Sequence, residues 1–124
     1  MRKSTGTRMM AAAAAAAAAG ASFAAPVAAK APPKLTVGVF DNYYAPIPKK
    51  AIKKGTVVRW KWDASTTDVH DVALSKAPKG VKRFGSDPLA AGQSYSKALK
   101  VPGTYKFICT FHEEMTMTLR VAKS

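Results

Sequence analysis

Beyond the first 29 residues, apolar side chains recur at every second position in short runs, and no segment there carries the 3.6-residue period of a helix. The clearest case is Thr56 to Trp62, where Val58, Trp60 and Trp62 take one face and Val57, Arg59 and Lys61 the other. Leu35, Val37 and Val39 alternate in the same way, as do Tyr105, Phe107 and Cys109, and later Met117, Leu119 and Val121. Tyr95 and Leu99 share a face of a strand over Ser94 to Leu99, and a further strand is expected over Val69 to Leu74 with His70 near its start. Between these runs lie turn formers: Pro46 and Pro48, Gly55, Pro78, Gly92, and Pro102-Gly103. Residues 41–46 read as a loop, because a proline cannot donate to a central ladder; 75–80 read as a turn, and 81–87 as irregular with Phe84 buried. Seven to eight short strands at this spacing predict an all-β sandwich.

The first 29 residues do not belong to that pattern. Arg2, Lys3 and Arg8 make a basic start, Met9 to Ala19 is an apolar run of almost pure alanine, and Ser22-Phe23-Ala24 resembles a cleavage site. This is the outline of a secretory signal peptide. An uncleaved membrane anchor is the alternative, but alanine is too weakly hydrophobic to hold a bilayer well. Residues 30–34, with Ala31-Pro32-Pro33, read as a stiff linker, and 35–124 as one exported domain, periplasmic or extracellular. Seventeen cations and all seven acids lie after residue 29, a net charge of +10. Small exported domains commonly rely on disulfides, yet Cys109 is the only cysteine and cannot pair within the chain. It requires another role: an intermolecular bond, a reactive thiol, or a metal ligand.

Residues 109–115 favour the last. Cys109, His112 and Met115 form a C-x-x-H-x-x-M run between two strands, and His112 is one of only two histidines. A thiolate, an imidazole and a thioether suit copper, which alternates between a soft Cu(I) and a harder Cu(II). The other histidine, His70, is distant in sequence and can join only through the fold. Two imidazoles, one thiolate and a weak axial thioether give the trigonal arrangement associated with electron transfer. Taken singly, Cys109 reads as a buried core thiol, His112 as a loop histidine and Met115 as core filling. Their coincidence with His70 is what favours a copper site.

Over nearly all of residues 35–124 the sequence resembles the cupredoxins, in particular the plastocyanin-, amicyanin- and pseudoazurin-like blue copper proteins. The residues that carry the resemblance are D-N-Y-Y-A-P at 41–46, Gly55 with Val58 and Trp60, V-H-D-V at 69–72, G-Q-S-Y-S at 92–96 and P-G-T-Y-K-F-I-C-T-F-H-E-E-M at 102–115. The resemblance implies a Greek-key β-sandwich, one copper ion bound by His70, Cys109, His112 and Met115, and one-electron transfer through the exposed ring edge of His112. The chain departs from the family pattern at four points. Asp71 stands where Asn often braces the Cys loop, and Phe111 where Pro often precedes the second His. The Phe111 N–H is therefore free to bond the Cys109 sulfur. Glu113 and Glu114 replace small or apolar residues, and Met117 replaces a glycine. Met117 would give a longer ligand loop, but it shares the face of Leu119 and Val121 and reads as core, so Met115 is the expected axial ligand.

The expected function is therefore an exported electron carrier, a monomer and not an enzyme, with copper handling as the alternative reading. Lys49, Lys50, Lys53 and Lys54 form one basic cluster, and Lys76, Lys79, Lys82 and Arg83 another. A charge of +10 steers toward acidic surfaces, so the expected donor and acceptor are redox proteins with an acidic docking face; an anionic membrane or wall surface also fits, whereas nucleic acid does not fit an exported chain. A thiol enzyme using Cys109 with a histidine base finds no acyl- or phosphate-binding loop in the sequence.

Overall fold

Alternation sets the sheets. Val37 and Val39 on β1 (Lys34–Phe40) and Val58, Trp60 and Trp62 on β3 (Thr56–Trp62) are buried, while the residues between them are half-buried or exposed. These two strands run parallel, from Lys34 beside Val57 to Val39 beside Trp62. β2 (Tyr43–Ala45) and β5 (Ser94–Leu99) flank them to give a sheet in the order β2-β1-β3-β5. The second sheet has the order β4-β6-β7, from β4 (Ala73–Lys76), β6 (Gly103–Cys109) and β7 (His112–Val121). The computed structural model describes residues 30–124, within which Ala31–Ser124 form one unit. The expected signal peptide lies outside the described residues.

The inward faces of the two sheets meet in one core. The Trp60 ring packs edge-on to Phe107 at 4.9 Å, and its Nε1–H donates to Met117 Sδ at 3.2 Å. Full burial of side chains this large contributes about 1.5–3 kcal/mol each. The all-β sandwich expected from the sequence is therefore present, with seven strands among the described residues.

Three local expectations are corrected. Residues 43–45 form a strand rather than a loop: Pro46 and Pro48 bar a central strand, but β2 sits at a sheet edge and ends before Pro46. The β1–β2 turn is made by Asp41 and Asn42, with Asn42 at φ 73°, a conformation that Asn tolerates better than most residues. β4 starts at Ala73, not Val69, and runs on to Lys76, so residues 75–76 are strand. Upstream of Ala73 the neighbouring edge is already engaged, because the Asp71 carboxylate takes the Thr110 N–H. Phe84 is half-buried, packed against the core rather than within it.

Candidate metal centre

Cys109 arrives on β6 in phase with Tyr105 and Phe107, so its thiol points inward and is buried. Only Thr110 and Phe111 separate β6 from β7, which already begins at His112. The expected seven-residue ligand loop is thus a tight hairpin. Its pairing explains how the donors converge. The register runs regularly as far as Ile108 opposite Thr116, and one more step would place Cys109 opposite Met115. Cys109 pairs instead with His112, so Glu113, Glu114 and Met115 are extra residues on the β7 side. This bulge brings His112 beside Cys109 and leaves Met115 on the buried face next to the Cys109 layer.

His70 reaches the same place from an extended segment tied by its backbone. The His70 carbonyl accepts from Trp62 Nε1 at 3.1 Å and from the Leu89 N–H at 3.2 Å. Val72 is clamped by Ser86, whose N–H donates to the Val72 carbonyl and whose Oγ accepts the Val72 N–H. Gly85 permits this approach, since a Cβ there would meet the Val72 carbonyl oxygen at 2.8 Å.

The result is a cluster of His70, Cys109 and His112 whose donor atoms lie within 4.8 Å of one another. Cys109 Sγ is 3.9 Å from His70 Nδ1 and 3.6 Å from His112 Nδ1. Metal bonds of ~2.0 Å to nitrogen and ~2.3 Å to sulfur would separate N and S by about 3.7 Å at a trigonal angle. The spacing therefore fits a metal ion shared by the three, and the soft thiolate with two imidazoles fits copper. Met115 is fully buried, whereas the Met117 sulfur is already engaged by Trp60 in the core.

Two aspartates that sequence reasoning missed complete the site. His70 Nε2 is 2.8 Å from Asp41 Oδ1, and His112 Nε2 is 2.9 Å from Asp68 Oδ2. The hydrogen bond from His70, then the Asp68 backbone N–H, holds Asp41 well below the usual carboxylate range. The Val69 N–H, then His112, lowers Asp68. Ionised carboxylates only accept, so each imidazole donates from Nε2, and in the neutral ring this leaves the Nδ1 lone pair toward Cys109. Asp68 follows a polar loop two residues before His70, and its pairing with His112, 44 residues away, has no local signal in the sequence. The expectation of an uncovered His112 ring edge is modified accordingly: Asp68 sits on it, with Val69 and Phe111 exposed nearby in sequence.

Asp71 braces the hairpin as the Asn of the family pattern would. Its Oδ1 accepts the Thr110 N–H at 2.7 Å and its Oδ2 the Thr110 hydroxyl at 2.6 Å. The Phe111 N–H is free to bond Cys109 Sγ by sequence, but the hydrogen-bond partners of that sulfur among the described residues are His70 and His112 Nδ1; the Phe111 side chain itself is half exposed.

A family model described as copper binding proteins of the plastocyanin/azurin family matches residues 43–122. Amicyanin-alpha of Methylorubrum extorquens is 34% identical over 70 residues, covering 55% of this chain and 56% of that protein, so the match spans little more than half of the relative. Among solved structures, amicyanin from Paracoccus versutus aligns with a TM-score of 0.58 at 27% identity, covering 71% of this chain and 80% of its own. A proline-to-glycine mutant of amicyanin in its reduced Cu(I) form at pH 4 aligns at 0.61 and 25% identity, covering 81% and 90%. The copper-containing nitrite reductase of Thermus scotoductus aligns at 0.59 and 26% identity over 87% of this chain but only 25% of that enzyme.

Proposed function

Because the chain belongs to the plastocyanin/azurin family of copper-binding proteins, a cupredoxin by sequence and fold, we propose that it carries single electrons between redox proteins as a blue copper protein. Its ligands in this reading are His70, Cys109, His112 and Met115. The observation that carries the proposal is the convergence of one thiol and two imidazole Nδ1 atoms, from three separate backbone segments, within 4.8 Å. Copper, when bound, supplies the one-electron couple. The chain supplies donors that need not move. Asp71 fixes the turn after Cys109, Trp62 and Leu89 fix the His70 backbone, and Met115 lies in the packed core. Four protein donors leave no position open for a substrate, unlike a catalytic metal site. Burial of His70 and Cys109 also argues against delivery of the metal to an acceptor, which needs accessible ligands.

Export is part of the proposal and rests on the basic start, alanine run and cleavage-like site within residues 1–29. The charge of +10 after residue 29 supports partners with an acidic docking face. The test is addition of Cu(II) to the metal-free domain. One equivalent should give an intense blue charge-transfer band that Cys109→Ser abolishes. A colourless, loosely held metal would overturn the reading.

A further inference from the structure

Asp41 and Asp68 are joined to each other as well as to the two histidines. Asp41 Oδ1 accepts the Asp68 N–H at 3.1 Å, and Asp41 Oδ2 accepts the Thr67 N–H at 3.1 Å and the Thr67 hydroxyl at 3.0 Å. The Asp41–Asn42 turn therefore pins the Thr67–Asp68 backbone, and that backbone places the Asp68 carboxylate on His112. One connected unit, anchored on the β1–β2 turn, holds the outer nitrogen of both imidazoles. The His70 ring is wholly buried, so its Nε2–H needs an acceptor, and Asp41 provides it from a partly exposed position. Asp68 is different. Its side chain is 58% exposed and that of His112 only 18% exposed, so Asp68 covers a ring edge that water would otherwise reach.

We propose that Asp68, held in place by Asp41, is a positioning residue of the metal centre, which fixes the Nε2–H tautomer of His112 and lowers the reduction potential by placing a carboxylate one imidazole away from the metal. The proposal rests on His112 being a copper ligand. A carboxylate bonded to the far side of a ligating imidazole orients the ring and raises its basicity, and loss of such a partner typically weakens metal binding 10–100-fold. Added negative charge stabilises the more positive oxidation state, so the loss falls mainly on Cu(II). Asp68 makes no buried contact on which folding depends, which makes it the residue to vary.

The experiment compares wild type, Asp68→Asn and Asp68→Ala by Cu(II) and Cu(I) competition titrations, midpoint potential, and 15N NMR of the histidine rings in the metal-free protein. Asn retains a carbonyl acceptor without the charge. Asp68→Ala should lose about tenfold in Cu(II) affinity with Cu(I) affinity nearly unchanged. That corresponds to a potential about 59 mV higher for a one-electron couple. Its metal-free His112 should also become a mixture of tautomers. Asp68→Asn should keep the Nε2–H tautomer while raising the potential. Failure of the copper reading would appear as a wild-type protein that binds no copper tightly. The positioning role is overturned separately, if wild type binds copper and both variants match it in potential, in the ratio of the two affinities and in tautomer. Unfolding curves of the metal-free proteins that superimpose will assign any shift to the site rather than to a damaged fold.

Discussion

Replacing Asp71 by alanine should loosen the Cys109–His112 hairpin and cost the domain measurable stability before any metal is added. The side chain is nearly buried and makes both of its hydrogen bonds to one residue, at 2.7 Å from the Thr110 N–H and 2.6 Å from the Thr110 hydroxyl. Hydrogen bonds to a charged group contribute about 1.5–3 kcal/mol each. Thr110 is exposed, so water will satisfy its donors in the variant and the pair should sit toward the low end, at about 2–3 kcal/mol in total. Asp71→Asn keeps a carbonyl for the Thr110 N–H, and the hydroxyl can turn to accept from the new amide, so its loss should stay near 1 kcal/mol. Urea unfolding of the metal-free domain measures both. With a slope of about 1.5 kcal/mol/M, the alanine midpoint should fall by roughly 1.5–2 M and the asparagine midpoint by well under 1 M. An alanine midpoint within about 0.3 M of wild type, or equal losses in both variants, would refute Asp71 as the brace.

The two methionines should separate cleanly. Met117→Leu leaves the buried Trp60 Nε1–H without its acceptor and should cost about 1–3 kcal/mol while the copper-loaded protein stays blue. Met115→Leu should cost less than about 1.5 kcal/mol but change the absorption spectrum and raise the potential, because a weak sulfur donor is lost. The reverse pattern in denaturation and visible spectra would move the axial role to Met117. Tyr44 makes the stability pH-dependent: burial, then Cys109 and Asp71, raises its pKa above the ordinary 10.0. The unfolded chain ionises first, so stability is intact below pH 10 and falls as pH rises beyond it, by up to about 1.4 kcal/mol per pH unit. Tyr44→Phe loses the 2.7 Å hydrogen bond to the Asp71 carbonyl and should be about 1 kcal/mol weaker near neutrality. That gap should narrow above pH 10 in guanidinium unfolding; a constant gap would contradict the assignment.

Strands were legible wherever alternation was strict, as in β3, whose bounds and inward face are those the sequence indicates. Ligand candidates were legible because Cys109, His70 and His112 are so few that their chemistry stands out. What escaped was set by non-local pairing. β2 is held by β1 through the conformation of Asn42, and three residues between two prolines and a turn carry no periodic signal. The bulge at Glu113–Met115 is likewise invisible, since residues 109–115 read as a ligand loop and strict alternation begins only at Met117. Asp41 and Asp68 were missed for a chemical reason: an aspartate in a turn is expected to cap its own backbone, as Asp68 does with the Val69 N–H, whereas Asp41 accepts from the distant Thr67 and Asp68 N–H groups. Only the fold brings their remaining oxygens to the histidines.

The distribution of acids separates two electrostatic tasks. Five of the seven acidic residues, Asp41, Asp68, Asp71, Glu113 and Glu114, bond to or directly follow the donor segments, within a domain that carries +10 overall. The basic excess acts at a distance, where salt screens it over about 10 Å at 0.1 M ionic strength, so the approach of the proposed acidic partner should be tunable by salt. The carboxylates act at hydrogen-bond contact, 2.8 and 2.9 Å from the ring nitrogens, where no screening ion can intervene. In the proposed carrier, the affinity for each copper oxidation state would thereby be governed by bonds internal to the domain, and the docking of a partner by exposed lysines elsewhere. On that reading, a surface charge change among Lys49, Lys50, Lys53 and Lys54 should alter how fast the proposed partner arrives without altering the reduction potential, which partner-binding kinetics and a midpoint titration would check.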